Sequence, residues 1–317
     1  VAKIVIFGAG NIGFRHFQAA CATPAVSEIL IVEPSMERLE KALTSKDAEG
    51  KKVRGANSTE ILSKETGIDC LISAVTTDVQ TGLSPFYFEL EPRVILLEKP
   101  VSQSKAGLEK LIHFSKGGSA VYVNCGRNVG KGIQEVRQAV SGKRIHLEVF
   151  GNNWGLGCNM VHFVELFRYL TGAKDISAVT AEISTSPYPN KRGEKYEEFL
   201  GTAAFLSGSG DSLSITCGAS DPRVSGISLL LRDRETDRPL YLIEEKARTL
   251  TDLVTSSTRP LGDLFVSEST RVFLEAVLNI NDRSENAFPT MEEAAISHRA
   301  YFDALFLGLK RNEFKVT

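Results

Sequence analysis

The sequence predicts an α/β fold in two parts: a doubly wound parallel sheet, then an α+β part with a mostly antiparallel open sheet. Three observations predict it. Residues 3–33 read as one strand–turn–helix–strand unit, short apolar runs then alternate with helical patterns to about residue 124, and later strand signals follow at close spacing. Alternation implies crossover connections and a parallel sheet, whereas close succession with turn residues implies antiparallel meanders. The expected division is 1–124 for the parallel-sheet domain and 125–317 for the second.

The first element is the apolar run Lys3-Ile4-Val5-Ile6-Phe7, followed by Gly8-Ala9-Gly10-Asn11-Ile12-Gly13 and a helix. In such a unit the first glycine permits a tight turn, and the second lets a pyrophosphate approach the backbone. The third lets helix and strand pack closely. The helix start turns free N–H groups and the positive dipole end toward the phosphates, which assigns Gly8, Gly10, Asn11, Ile12 and Gly13 to a dinucleotide. A second strand, Ile29–Glu33, closes the unit, and Glu33 follows Gly13 by twenty residues. That spacing suits an acid holding ribose hydroxyls. The same carboxylate repels the 2′-phosphate of NADP, and Pro34-Ser35 supply no arginine against it, although Arg38 lies close by. NAD is expected, with NADP the lesser partner.

Met36–Leu43 reads as a helix after Pro34-Ser35. Asp69–Val75 is a buried strand leading into the polar turn Thr76-Thr77-Asp78. Arg93–Leu97 is another strand, ending at Glu98-Lys99-Pro100. Leu108–Phe114 is an amphipathic helix, and Ala120–Val123 ends the series. Ligands of open parallel sheets bind beyond the carboxyl ends of the strands. Gly13, Glu33, Val75, Thr76, Glu98 and Lys99 all lie at or near such ends, so Val75, Thr76, Glu98 and Lys99 join the expected cofactor contacts.

A helix over Gly132–Val140, a strand at Ile145–Phe150 and a Gly/Asn-rich loop at Gly151–Gly157 open the second part. A helix follows from about Asn159 to Leu170 and stops at Thr171-Gly172, a C-terminal signal. Strands are expected at Ala178–Ser184, Thr202–Leu206, Ser212–Cys217, Ile227–Arg232 and Leu240–Ile243, with turns at Ser207–Gly210 and Asp221-Pro222. Helices Glu268–Leu278 and Met291–Leu309 end the chain. This part is suited to a substrate wall and an oligomer face, and a homodimer or homotetramer is expected. The imperfect alternation of Ile227-Ser228-Leu229-Leu230-Leu231 suggests burial on both faces.

Composition narrows the function classes. With 317 residues, 42% hydrophobic and 24% charged, the chain can build two cores. A net charge of −2 without a long Lys/Arg run argues against nucleic acid, and Lys143-Arg144 and Lys191-Arg192 read as solvated surface. No apolar run approaches a membrane span, and the first strand starts almost at once, which points to a cytoplasmic protein without a signal peptide. Five dispersed cysteines without CxxC suggest buried thiols, with neither a disulfide framework nor a metal site.

Gly8-x-Gly10-x-x-Gly13-x-x-His16, then Glu98-Lys99-Pro100, then His162 shortly before Leu170-Thr171-Gly172, resembles the Gfo/Idh/MocA oxidoreductases over nearly the whole chain. Glu-Lys-Pro at a strand end, sixty-five residues after Glu33, is its most specific part. The resemblance implies an N-terminal Rossmann domain, a C-terminal open-sheet domain, a bound nicotinamide cofactor and a sugar- or polyol-like substrate. In physical terms Lys99 is a compact cation able to stabilise a developing alkoxide, with Glu98 orienting it. His162 offers a neutral imidazole as proton acceptor, and Glu165, three residues on, could orient it. His16 reads as a packing or capping residue. Departures are also plain. Where the family has Asp-x-Gly-x-His-x-x-Asp, this chain has Cys158, Met160, His162 and Glu165; Gln80 stands where a His is common, and Thr76-Thr77 replace a proline. Asn152, Asn153 and Asn159 are candidates for the contacts of the missing Asp.

The leading reading is an NAD-dependent oxidoreductase acting on a secondary alcohol or ketone of a sugar, polyol or derivative. Lys99 and His162 are its catalytic pair, and Lys99, Asn153, Trp154, Asn159 and His162 its substrate contacts. A non-catalytic NAD-binding sensor is the alternative, favoured by the loss of the acid at Cys158. A reductase of a non-sugar ring such as a tetrapyrrole is a third reading, against which the polar Asn152-Asn153-Trp154 loop speaks.

Overall fold

A computed structural model describes residues 1–186, 190, 192–219, 226–262, 265–278 and 287–317; the turn expected at Asp221-Pro222 and Lys191 lie outside them. The first stretch runs β1 (Ala2–Phe7), α1 (Asn11–Ala22), β2 (Val26–Val32), α2 (Met36–Leu43), β3 (Lys52–Ala56), β4 (Cys70–Ser73), α3 (Thr77–Glu89), β5 (Val94–Leu97), α4 (Lys105–Phe114) and β6 (Ala120–Val123). Next come α5 (Lys131–Ala139), β7 (Ile145–Asn152), α6 (Leu156–Thr171), β8 (Ile176–Thr185), β9 (Phe199–Ser207), β10 (Ser212–Gly218) and β11 (Ile227–Asp233). The chain ends with β12 (Pro239–Glu244), β13 (Thr249–Asp252), β14 (Ser257–Pro260), α7 (Val266–Leu278) and α8 (Met291–Leu309).

Two compact units result. One comprises Val1–Ser102, Glu109–Gly126 and Leu264–Glu292, and the other Gln103–Leu108, Arg127–Asp263 and Glu293–Thr317. A single cut near residue 124 does not separate them, because α7 belongs with the first unit. There it packs on α1, and Phe273 meets Tyr122 and Phe288 edge-on, with ring centres 5.4 and 5.1 Å away.

The first unit is a six-stranded sheet in the order β3-β2-β1-β4-β5-β6, parallel throughout. The order reverses between β1 and β4, which makes a crevice beyond their carboxyl ends the natural ligand site. Strands β1, β4 and β5 are almost wholly buried, matching their unbroken apolar runs. Two elements lacked a clear sequence signal. Strand β3 is a half-exposed edge strand whose Arg54 pairs with Glu28 on β2 and Glu65. Helix α3 starts at Thr77, inside the expected polar turn, and contains Gly82 and Pro85. Proline has no N–H for the carbonyl of Thr81, four residues back; the Ser84 hydroxyl donates to that carbonyl at 2.9 Å instead.

The second unit is an eight-stranded sheet in the order β14-β13-β12-β11-β7-β10-β9-β8. All neighbours are antiparallel except β7 and β10. Strand β14 is a polar, exposed edge segment and β13 beside it buries only Leu250, which is why no apolar run announced them. The Ser207–Gly210 turn forms as expected, closed by Gly210 N–H donating to Ser207 O at 3.0 Å. Helix α6 packs on β7, β9 and β10, with twelve of its residues buried. Gly172 ends it in a left-handed conformation at φ 69°, the geometry that favours glycine there. Among the described residues no helix is long and apolar enough to cross a membrane.

Candidate functional site

The glycine turn is set by what a side chain would strike. A Cβ on Gly8, whose φ is +89°, would lie 2.8 Å from the Ala74 carbonyl oxygen, and one on Gly13 would lie 1.9 Å from Gly8 O. Gly10 differs: its nearest neighbour would be Arg38 Nη1 at 3.8 Å. The first and third glycines are thus wedged between backbone segments, whereas the second stays open for a ligand. Helix α1 begins at Asn11 with no side-chain cap and no acid in its first turn. Its leading N–H groups, on Asn11, Ile12 and Gly13, have no partner within the helix. Such an uncapped helix start is suited to an anion.

Glu33 stands just beyond β2 and is 5% exposed. One carboxylate oxygen accepts the Ala9 N–H at 2.6 Å and the other the Ser35 N–H at 2.9 Å. Besides any ribose role, it therefore braces the glycine turn from below. Each oxygen retains a second lone pair. Ala74 N–H donates to Phe7 O at 2.8 Å, so the Ala74–Thr76 turn, with Val75 and Thr76, sits at the carboxyl end of the switch point.

The Glu98–Val101 turn, which carries Lys99, is heavily anchored. The Gln80 amide donates to the carbonyls of Glu98 (3.2 Å) and Val101 (3.0 Å), and its oxygen accepts from Ser73 Oγ at 3.0 Å. Thr77 Oγ1 donates to Pro100 O at 3.2 Å. The Glu98 carboxylate meets His16 Nε2 at 2.8 Å and accepts from the Asn124 amide. Burial pushes the Glu98 carboxyl up, but hydrogen bonds from His16 and Asn124 and the nearby Lys99 charge outweigh it, leaving it below the ordinary value. Glu98 is thus ionised. His16 neither caps α1 nor merely fills space; its other nitrogen meets Thr270 Oγ1 on α7 at 2.9 Å. Asn124 and Thr270 escaped the sequence reading, and Gln80 was noted only as a departure from the family pattern, since single polar residues inside helices or after strands carry no pattern.

In the second unit, His162 occupies the second turn of α6 and is half-buried. The start of that helix is fixed by Glu198, whose Oε1 accepts the N–H of Gly157 at 2.6 Å, and by Tyr301, whose hydroxyl donates to Gly157 O at 2.6 Å. The expected Gly151–Gly157 loop is shorter, because Gly151 and Asn152 finish β7 and Leu156 begins α6. Within it Asn153 adopts a left-handed φ of 47° and donates its N–H to Gly218 O at 3.0 Å. The Asn159 amide donates to Trp154 O at 2.8 Å, and Trp154 Nε1 to Thr216 O at 3.2 Å. Those two donors fasten the loop, while the exposed Asn153 side chain and the indole ring, edge-on to Phe163 at 5.3 Å, face other roles.

Glu165 does not orient His162. It is fully buried and accepts from Arg168 through Nε and Nη2 (3.0 and 2.8 Å) and from Ser297 Oγ (2.8 Å). Asn128 Nδ2 approaches it at 3.4 Å, and Arg127 stacks over Phe163 at 4.6 Å while pairing with Glu245 at 2.6 Å. Burial pushes the Glu165 carboxyl up, and Arg168 and Ser297 offset only part of that. Of the five cysteines, Cys21, Cys70, Cys125 and Cys217 are buried and Cys158 is half-buried, all unpaired by disulfides. Among the described residues no group of three or more His, Cys, Asp or Glu could hold a metal ion.

No family model matches the sequence, and no curated protein does. Solved structures do match. A myo-inositol 2-dehydrogenase from Lactobacillus plantarum superposes with a TM-score of 0.71 at 13% identity, over 100% of this chain and 99% of that one. A UDP-N-acetylglucosamine 3-dehydrogenase from Acidithiobacillus ferrooxidans gives 0.69 at 15% identity, covering 96% and 97%. GenD2 of gentamicin A biosynthesis, in complex with NAD, gives 0.71 at 12% identity, covering 100% and 96%. The chain has the fold of the myo-inositol dehydrogenases and related oxidoreductases of the Gfo/Idh/MocA type.

The buried Glu165–Arg168 pair yields a direct expectation. Arg168→Met leaves a carboxyl without its counter-charge and should cost about 3–5 kcal/mol of stability at neutral pH. Since the folded Glu165 carboxyl already lies above its ordinary 4.5, its protonated form is favoured in the fold. Stability from that preference is present at low pH and is lost as pH rises through the folded value. The deficit of the variant should therefore shrink on acidification toward the ordinary carboxylate range. Urea unfolding followed by the single tryptophan, Trp154, measures it.

Proposed function

We propose that this protein is an NAD-dependent oxidoreductase acting on a secondary alcohol, or the corresponding ketone, of a sugar, polyol or sugar derivative. The observation that carries the reading is the open Gly10 between two wedged glycines, at the uncapped start of α1. A pyrophosphate fits there because backbone N–H groups and the helix dipole face an approach that no Cβ obstructs. The fit to the adenosine ribose is also good: the Glu33 carboxylate is held rigid by two backbone donors with lone pairs to spare. Its charge disfavours a 2′-phosphate, which supports NAD over NADP. The substrate class is supported by the dehydrogenases of inositol and of a nucleotide sugar that share the fold.

The nicotinamide supplies the hydride acceptor or donor. Lys99, on a turn pinned by Gln80 and Thr77, presents an ammonium that stabilises negative charge developing on the substrate oxygen. His162 accepts the hydroxyl proton in oxidation and returns it in reduction. Glu165 is excluded from relaying that proton by its bonds to Arg168 and Ser297. Asn153 and the Trp154 ring supply substrate contacts, with Asn159 acting through the loop it fastens. We further propose a homodimer or a tetramer of dimers. On one face of the eight-stranded sheet Phe150 and Leu206 stay 42% and 39% exposed, beside the half-buried Leu230.

Three outcomes test this. Wild-type protein should bind NAD(H) more tightly than NADP(H), and Glu33→Ala should narrow the gap by weakening NAD(H) roughly tenfold or more, as expected for charged hydrogen bonds. Titration of both cofactors measures it, and equal or tighter NADP(H) binding by the wild type overturns the Glu33 assignment. On whichever of a panel of sugars and polyols reduces NAD, His162→Ala should cut turnover ~10²–10⁴-fold and Lys99→Met by orders of magnitude. If both serve one oxygen, the double variant should be much less impaired than the product of the two defects. Near-normal turnover by His162→Ala makes that histidine structural, and no turnover with any member of the panel favours a sensor. Light scattering at micromolar concentration should give an oligomer; a monomer contradicts the sheet-face interface.

A further inference from the structure

His16 lies in the middle of α1 and is fully buried, yet both ring nitrogens are engaged by distant parts of the first unit. Nδ1 stands 2.9 Å from Thr270 Oγ1 on α7, and Nε2 stands 2.8 Å from Glu98 Oε1. An ionised Glu98 makes Nε2 the protonated nitrogen. In the neutral ring Nδ1 then accepts the Thr270 hydroxyl proton, and in a charged ring the hydroxyl turns to accept instead. Space-filling alone does not account for this. A leucine would fill the space without two nitrogens that are costly to desolvate unless both are bonded. The arrangement serves the carboxylate it ends on.

The Glu98 side chain keeps 16% exposure at the carboxyl end of β5. It lies in the β4–β6 half of the sheet, which takes the second mononucleotide in doubly wound dinucleotide folds. In NAD(H) that mononucleotide bears the nicotinamide, cationic when oxidised and neutral when reduced. Lys99 adds a positive charge at the same strand end, which disfavours the cationic ring; the Glu98 carboxylate opposes it.

We infer that the Thr270–His16–Glu98 chain is a positioning device that sets the balance between oxidised and reduced cofactor, by holding a carboxylate in place to favour NAD+ over NADH. His16 and Thr270 touch neither cofactor nor substrate in this role; they act through Glu98, as does the Asn124 amide on the same oxygen. The inference rests on the NAD(H) reading of the first unit.

The test needs no sugar substrate, because the ratio Kd(NAD+)/Kd(NADH) fixes the potential of the bound couple. Calorimetry for NAD+ and fluorescence for NADH supply both constants at neutral pH and fixed ionic strength. Glu98→Gln and His16→Leu should raise the ratio about threefold or more, as expected for losing one nearby charge in a partly aqueous setting. Thr270→Val, which removes only a hydroxyl, should raise it by less. His16→Gln, which returns a donor to Glu98, should bring the ratio back toward the wild-type value. His16→Leu combined with Glu98→Gln should match Glu98→Gln alone, since both act on one carboxylate. If His16→Leu fails to fold, Glu98→Gln and Thr270→Val decide. The inference is overturned if Glu98→Gln, His16→Leu and Thr270→Val weaken both forms by one factor, or leave the ratio unmoved while the wild type binds both. A wild type that binds neither form refutes the NAD(H) reading itself and this inference with it.

Discussion

Helix α1 meets the β1 turn at a separation that only a missing side chain permits, since a Cβ on Gly13 would sit 1.9 Å from Gly8 O. Much else in the first unit follows from that contact. It brings the helix start down onto the carboxyl end of β1, so that Asn11 and Ile12 present their N–H groups at the switch point between β1 and β4. It also sets the height of α1 above the sheet, and with it the reach of His16 to Glu98 and Thr270. Glu33 secures the same turn by taking the Ala9 N–H. A turn held by sterics on one side and by a buried carboxylate on the other is preorganised, so that little ordering remains when a ligand arrives.

The sheet end therefore works through buried polar groups whose bonding is complete. Ser73 illustrates this: its hydroxyl donates to Gln80 and meets the Tyr87 hydroxyl at 2.9 Å, while burial pushes the Tyr87 phenol up, out of its usual range. In the second unit a comparable buried cluster joins Glu165 and Arg168 of α6 to Ser297 of α8. Such networks add little net stability over apolar packing, but they penalise alternative arrangements heavily. They fix the direction of Lys99 and the seat of α6 more strictly than hydrophobic contacts, which tolerate sliding, could do.

Legibility in the sequence followed the range over which each feature is specified. Elements with their own periodic or glycine signal were readable: Met36–Leu43 was recovered with its ends, and Gly172 forecast the end of α6. Strands β3, β13 and β14, at or next to a sheet edge, were not, because they are held by ladder bonds and ion pairs rather than by an apolar run. At the site, Gly8, Gly10, Gly13 and Glu33 were legible because their spacing is itself the geometry. The partners of Glu98 and Glu165 were not. His16 and Asn124 reach Glu98 across 82 and 26 residues of chain and Thr270 reaches His16 across 254, and Glu165 looked like a partner of His162 until its three-residue neighbour Arg168 claimed it.

Where the chain departs from the motifs of the Gfo/Idh/MocA oxidoreductases that it resembles, the residues present have bonding roles of their own. Gln80 stands where a histidine is common, and its amide makes three bonds at once: two donated to the Lys99 turn and one accepted from Ser73. A neutral imidazole, with one donor and one acceptor, could make only two of these. The turn that carries Lys99 is thus anchored by Gln80, and Thr77, one of the threonines at the place of the family's proline, adds another bond. At the start of α6 the usual Asp is Cys158, but Glu198, next to β9, brings its carboxylate to Gly157 N–H. A helix N-terminus welcomes one negative charge. A second carboxylate at position 158 would stand beside Glu198 in a half-buried setting and repel it. A cysteine there fits a helix start whose negative charge comes from Glu198, just ahead of β9.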